Sequence, residues 1–186
     1  PSRTTVDLMG NLWVGNRQSG TLIKIGDLAT GQCDDRNHDG IIQTSRDLNG
    51  DGIISDSEIM TFGEDECLLK EVVLIPGKEG VFVPGTYTGG YVADYWSPGL
   101  RSAVVDRNNK VWIATFGTMM LYRLDGYSGA IEACFSTNSV EHHGYTATID
   151  RDGIMWSVDR PDHELVRFDI TKPVPEMSLF RNIDGY

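Results

Sequence analysis

Three stretches of this 186-residue chain keep an aspartate six residues ahead of a tryptophan: Asp7 to Trp13, Asp106 to Trp112 and Asp150 to Trp156. Each aspartate follows an apolar residue (Val6, Val105, Ile149), and nine residues past each tryptophan a short run begins at Leu22, Leu121 and Leu165. Two independent offsets kept three times define a repeat. Its chemistry is that of β-structure. An aspartate three residues before Gly10, Asn109 or Gly153 caps its own turn, and Gly or Asn tolerates a left-handed backbone. The flanking runs alternate or are β-branched, as half-buried strands are. The pattern predicts strands over 2–7, 11–16 and 22–26, then 100–106, 111–116, 121–125 and 130–136, then 144–150, 154–159, 165–169 and 176–181. No stretch has the period of a long amphipathic helix.

The second and third aspartates are 44 residues apart, the span of a four-stranded propeller blade. The first and second are 99 apart, so the first copy carries about 55 extra residues against that blade period. The surplus follows the third strand, with 70–75 as a delayed fourth. The run from Asp7 through Gly10-Asn11-Leu12-Trp13-Val14, with the Thr30-Gly31 and Ser128-Gly129 turns, resembles NHL-type and streptogramin-lyase-like (virginiamycin B lyase-like) β-propellers. That resemblance implies an all-β fold of about three four-stranded blades, over 1–32 and 68–186, with an insert at 33–67. Propellers close with four to eight blades. Three blades, and a chain that opens at Pro1 without Met, are expected of part of a larger propeller.

The insert owns the charge. Net charge is −11, from 27 acidic and 16 basic residues, and Cys33 to Cys67 alone holds ten acids against two bases, or −8. Such a chain does not seek nucleic acid or an anionic lipid surface by charge. No stretch approaches the roughly 18 apolar residues of a membrane-spanning helix.

Asp47-Leu48-Asn49-Gly50-Asp51-Gly52-Ile53-Ile54-Ser55-Asp56-Ser57-Glu58 meets every position of a 12-residue EF-hand loop. Calcium takes six to eight oxygens. Asp47, Asn49 and Asp51 would supply positions 1, 3 and 5, the Ile53 carbonyl position 7, Ser55 position 9, and Glu58 a closing two-oxygen carboxylate. Gly52 allows the sharp turn, and Ile54 points away, available to pack. The plainer alternative is a solvated acidic loop. Twelve residues earlier, Asp35, Asn37, Asp39, Gly40 and Ile41 repeat the first half, but position 12 is Arg46, a cation. Asp47, one place late, or a water would have to fill in. The tandem resembles the duplicated calcium loops of dockerins and thrombospondin type 3 repeats. Two calcium ions would bring +4 against the insert's −8.

Cys33 and Cys67 bracket the acidic segment where blade strands would be adjacent. They read as a disulfide pinching the insert at its base, or as two buried thiols. Cys134 reads as a core thiol. Trp13, Trp112 and Trp156 are read as blade core. The aromatic stretch from Gly85 to Trp96 reads as packing against the propeller, with a stacking platform as the alternative.

Glu141, His142 and His143 precede an inner strand. The resembled lyases use a histidine base and metal-held carboxylates in their central channel, and Glu141, His143 and Asp159 are the nearest equivalents here. Two histidines in a loop are otherwise surface or turn residues. No nucleophile elbow or phosphate-cradling loop occurs. The expectation is a calcium-binding propeller in the extracellular space, at the cell surface or in the periplasm. It would act by binding a protein or glycan partner, or other copies of itself. A propeller lyase or lactonase, with His143 as base and a metal in the channel, is the alternative.

Overall fold

The computed structural model describes residues 3–88, 98–159 and 164–181. Among these the chain forms thirteen strands in three antiparallel sheets. The first sheet takes β1 (Arg3–Val6), β2 (Leu12–Gly15), β3 (Thr21–Ile25), β4 (Leu68–Val73) and β5 (Gly80–Phe82). The second takes β6 (Leu100–Val105), β7 (Lys110–Thr115), β8 (Met120–Asp125) and β9 (Ile131–Ser136). The third takes β10 (Thr146–Ile149), β11 (Ile154–Val158), β12 (Leu165–Asp169) and β13 (Glu176–Phe180). Each sheet is a meander in chain order, and β6, which leads the second, packs against both β1 and β10. The delayed fourth strand is β4. The first sheet has five strands rather than the expected four, because β5 is three residues long and too short to display an alternation.

The Asp-to-Trp spacing is one hydrogen-bonded clamp built three times. Asp7 Oδ1 accepts the N–H groups of Met9 and Asn11, both at 2.9 Å, and its Oδ2 accepts the Trp13 indole N–H at 3.1 Å. Asp106 does the same with Asn108 (2.8 Å), Lys110 (2.9 Å) and Trp112 (3.0 Å). Asp150 repeats it with Asp152 (2.9 Å), Ile154 (3.0 Å) and Trp156 (2.9 Å). The carboxylate thus closes the turn and pins the indole of the next strand. The residue three places on is left-handed in every copy: Gly10 (φ 91°), Asn109 (φ 58°) and Gly153 (φ 80°). Asn109 stands where the other two copies have Gly, because Asn is the side chain that best tolerates this region. It also gains a use, its Oδ1 accepting the Leu8 N–H of the first sheet at 2.8 Å.

The second sheet is covered on both faces, which is why β7 is buried along nearly its whole length. Val111 and Ile113 join Tyr122 and Leu124 against Trp13, Leu22 and Val72 of the first sheet. Trp112 and Ala114, facing the other way, join Leu121 against Met155, Val166 and Phe168 of the third. Burying side chains of this size contributes about 1.5–3 kcal/mol each. Lys24, also buried, reaches across from the first sheet to the Gly126 carbonyl and lies 3.3 Å from Asp7.

Two expected core positions differ. Trp156 is only half buried, because it lies on the face of the third sheet turned away from the second. No further sheet covers that face among the described residues, and Val158 and Phe180 beside it are exposed. Cys134 is exposed, not a core thiol. It pairs with the buried Tyr122 but sits on the outermost strand, where alternate residues Ile131, Ala133 and Phe135 are the more protected ones.

The long connection leaves after β3 at the Asp27–Gly31 turn, where its counterpart in the second sheet, Asp125–Gly129, returns at once into β9. Cys33 and Cys67 are disulfide-bonded at its neck, with Cα atoms 4.3 Å apart. The ladder continues through the neck, the Gly26 N–H bonding the Cys67 carbonyl (2.7 Å) and the Asp34 N–H the Glu66 carbonyl (3.0 Å).

Candidate functional site

The segment beyond the neck holds one short 3-10 helix, Asp56–Glu58, and otherwise folds on polar contacts. In its second loop each short side chain accepts an N–H further along. Asp47 Oδ2 accepts from Gly52 (2.8 Å), Asn49 Oδ1 from Asp51 (2.8 Å) and Asp51 Oδ1 from Ile53 (2.8 Å). Gly50 and Gly52 are both left-handed, at φ 77° and 83°. Glu58, nearly buried, closes the loop: Oε1 accepts the N–H of Leu48 (2.8 Å) and Asn49 (3.3 Å), and Oε2 that of Ser55 (2.9 Å). The Ser55 N–H and hydroxyl hold the Glu58 carboxyl down to about 2, and the Gly52 N–H lowers that of Asp47. Both are anionic at neutral pH.

The first loop has the same frame. Asp35 Oδ2 accepts from Gly40 (2.8 Å), Asn37 Oδ1 from Asp39 (2.9 Å) and Asp39 Oδ1 from Ile41 (2.8 Å), with His38 and Gly40 left-handed at φ 60° and 82°. Both oxygens of Asp47 accept N–H groups of its own loop, including Gly50 at 2.7 Å. Two groups the sequence did not single out tie this loop down. Glu66 accepts three of its backbone N–H groups, and the Arg36 guanidinium donates to the carbonyls of Gly63, Asp65 and Leu68. Glu66 belongs to no local pattern, so only pairing across the neck reveals it. Ile41, Ile53 and Ile54 are all exposed, so Ile54 packs on nothing substantial.

These loops offer mixed oxygen donors: carboxylates, an Asn amide, a hydroxyl and backbone carbonyls. Among the described residues no three His, Cys, Asp or Glu side chains converge as a metal-holding group.

The other candidates separate. His143 donates its backbone N–H to Asp159 Oδ2 (2.8 Å), and its ring Nδ1 meets the Phe116 carbonyl at 2.8 Å, which places the proton on Nδ1. Glu141 turns outward, left-handed at φ 50°, and its side chain is 3.5 Å from Arg181. The third expected partner is therefore not brought to the pair. His142 is not a surface residue: it is 1% exposed, bonds Ser157 Oγ at 2.7 Å, and lies 3.9 Å from Asp159. Burial pushes its imidazole down to about 4, against the opposing pull of Asp159. A cavity of about 620 Å³ between the second and third sheets is bordered by Asp106, Trp112 and Asp150 of the repeat and by Arg123.

Of the Gly85–Trp96 stretch, residues 89–96 lie outside the described residues. Tyr87 packs against Phe82, with ring centroids 5.3 Å apart. No helix among the described residues is long and apolar enough to cross a membrane. In comparison with known proteins, the chain matches no protein-family model and no curated protein sequence.

Proposed function

We propose that the chain is a calcium-binding β-propeller segment of a secreted, cell-surface or periplasmic protein, acting as a binding or assembly module in which calcium is structural. The observation that carries this reading is the disulfide-necked insert with two loops that share three side-chain-to-backbone hydrogen bonds at equivalent positions. The second is closed by a buried Glu58 at the twelfth position. Asp47, Asn49, Asp51, the Ile53 carbonyl, Ser55 and Glu58 would hold the ion there. Ten acids within so short a segment repel one another, and a divalent cation offsets that repulsion. The three meandering sheets with adjoining leading strands support the propeller architecture, and the disulfide suits an oxidising compartment. The partner is a protein, a glycan or another copy of the chain, met by the protruding insert.

The test is a thermal melt of the disulfide-bonded chain in about 1–5 mM calcium, the range of extracellular modules, against chelator and magnesium. A micromolar site saturated at millimolar calcium adds about 3–4 kcal/mol. A calcium-specific rise of several degrees, abolished in Asp47→Ala and Glu58→Ala, is expected. An unchanged midpoint in calcium refutes the reading. The lyase or lactonase alternative requires turnover that is lost in His143→Ala while the melting point holds.

A further inference from the structure

We infer that the first loop is a second calcium site and that Glu66 is its closing ligand, supplied from across the neck rather than from within the loop. This rests on the calcium reading above.

Numbered as the second loop is, the first has Asp35, Asn37, Asp39, Ile41 and Gln43 at positions 1, 3, 5, 7 and 9, and Arg46 at 12. A guanidinium cannot ligate a cation. In the second loop the closing Glu58 is located by three backbone N–H groups, those of positions 2, 3 and 9: Leu48 and Asn49 on Oε1, Ser55 on Oε2. Glu66 takes the same three positions of the first loop with the same division of its oxygens. Oε1 accepts from Arg36 (2.9 Å) and Asn37 (3.3 Å), and Oε2 from Gln43 (2.8 Å). The matching distances in the second loop are 2.8, 3.3 and 2.9 Å. The carboxylate missing at position 12 is therefore present in space, brought by a residue 31 places beyond Asp35.

A separate observation points to an ion. Asp35 Oδ1, at the position that begins the ligand set, is buried and has no hydrogen-bond partner, while Oδ2 is used by Gly40. Glu66 itself is 3% exposed. No ion pair reaches Asp35 or Glu66 among the described residues, and Arg36 spends its guanidinium on carbonyls. A buried Glu66 side chain without a paired cation is costly, and so is a buried carboxylate oxygen without a donor at Asp35. A hard divalent cation with oxygen ligands answers both.

Glu66 is also rigidly placed. Its N–H bonds the Gln43 carbonyl (2.8 Å), its carbonyl accepts from Asp34 (3.0 Å), and the next residue is Cys67, bonded to Cys33. The ligand set of this site is thus complete only when the neck is closed.

Calcium titration calorimetry on the full, disulfide-bonded chain decides it. Two ions per chain are expected for the unsubstituted protein and for Arg46→Ala, one for Glu66→Gln, one for Glu58→Gln and none for the double variant. Two ions with unchanged affinities in Glu66→Gln overturn the inference. So does a single ion in the unsubstituted chain that is lost in Glu58→Gln and kept in Glu66→Gln, an outcome that leaves the calcium reading intact. No binding at all by the unsubstituted chain defeats both. A crystal structure of the unsubstituted chain grown in calcium removes any dependence on how Glu66→Gln folds. An ion held by Asp35 and Glu66 is expected there; an ion on the first loop without Glu66, or a filled second loop beside an ion-free first, overturns the inference.

Discussion

Removing the carboxylate of one clamp should cost far more inside the stack than at its edge. Asp106 is 9% exposed and accepts from Asn108, Lys110 and the indole of Trp112, itself 1% exposed. In Asp106→Ala, water can reach the turn N–H groups of Asn108 and Lys110, so their loss is partly made good. The Trp112 indole N–H cannot be rehydrated, and an orphaned buried donor costs about 1–3 kcal/mol. With the charge-assisted turn bonds added, the expected loss is about 3–4 kcal/mol. Asp150 makes the same three bonds at 2.9–3.0 Å, but on an exposed turn against a half-buried tryptophan, so water replaces every one of them. Asp150→Ala should therefore be the much milder change. Urea unfolding followed by circular dichroism, in calcium with the disulfide intact, measures both. Equal losses for the two variants, or less than about 1 kcal/mol for Asp106→Ala, would refute the view that burial of the indole sets the strength of the clamp.

Three further outcomes are expected. Lys24→Ala strips the buried Asp7 of its cation, 3.3 Å away, and leaves the Gly126 and Tyr127 carbonyls without a donor. It should cost about 3–5 kcal/mol in denaturant unfolding, with Lys24→Met recovering only packing. His142 is held neutral by burial, its folded-state value of about 4 lying below the ordinary 6.5. Its stabilising effect is then complete above about pH 6.5 and lost as pH falls through about 4, some 3 kcal/mol in all. Unfolding free energy measured from pH 7 to 4 should fall more steeply for the unsubstituted chain than for His142→Gln. At Asn109 the left-handed backbone favours Gly over Ala by about 1 kcal/mol. Asn109→Ala should thus lower the midpoint more than Asn109→Gly, which forfeits only the side-chain bond to Leu8.

The strands were legible because their signals are local. An aspartate that caps its own turn, a left-handed Gly or Asn, and an indole on the following strand lie within seven residues, so spacing alone reports them. The same holds for the second acidic loop, whose oxygens and left-handed glycines all fall within twelve residues. What spacing does not encode is which face of a strand a neighbouring sheet will cover. Trp112 and Trp156 occupy identical repeat positions, yet among the described residues a neighbouring sheet covers only Trp112. Cys134 alternates as a core residue would and is exposed because an outer strand lies beyond the packed interface. His142 appears as a loop residue and is buried because the loop folds down beside Ser157 and Phe168. Glu66 meets the Arg36 and Asn37 backbone only because β3 and β4 pair and the disulfide closes the neck between them. Local chemistry, which acts along the chain, was readable from the amino acids; burial and the partners of buried charges depend on contacts between distant segments, and only the packed sheets determined them.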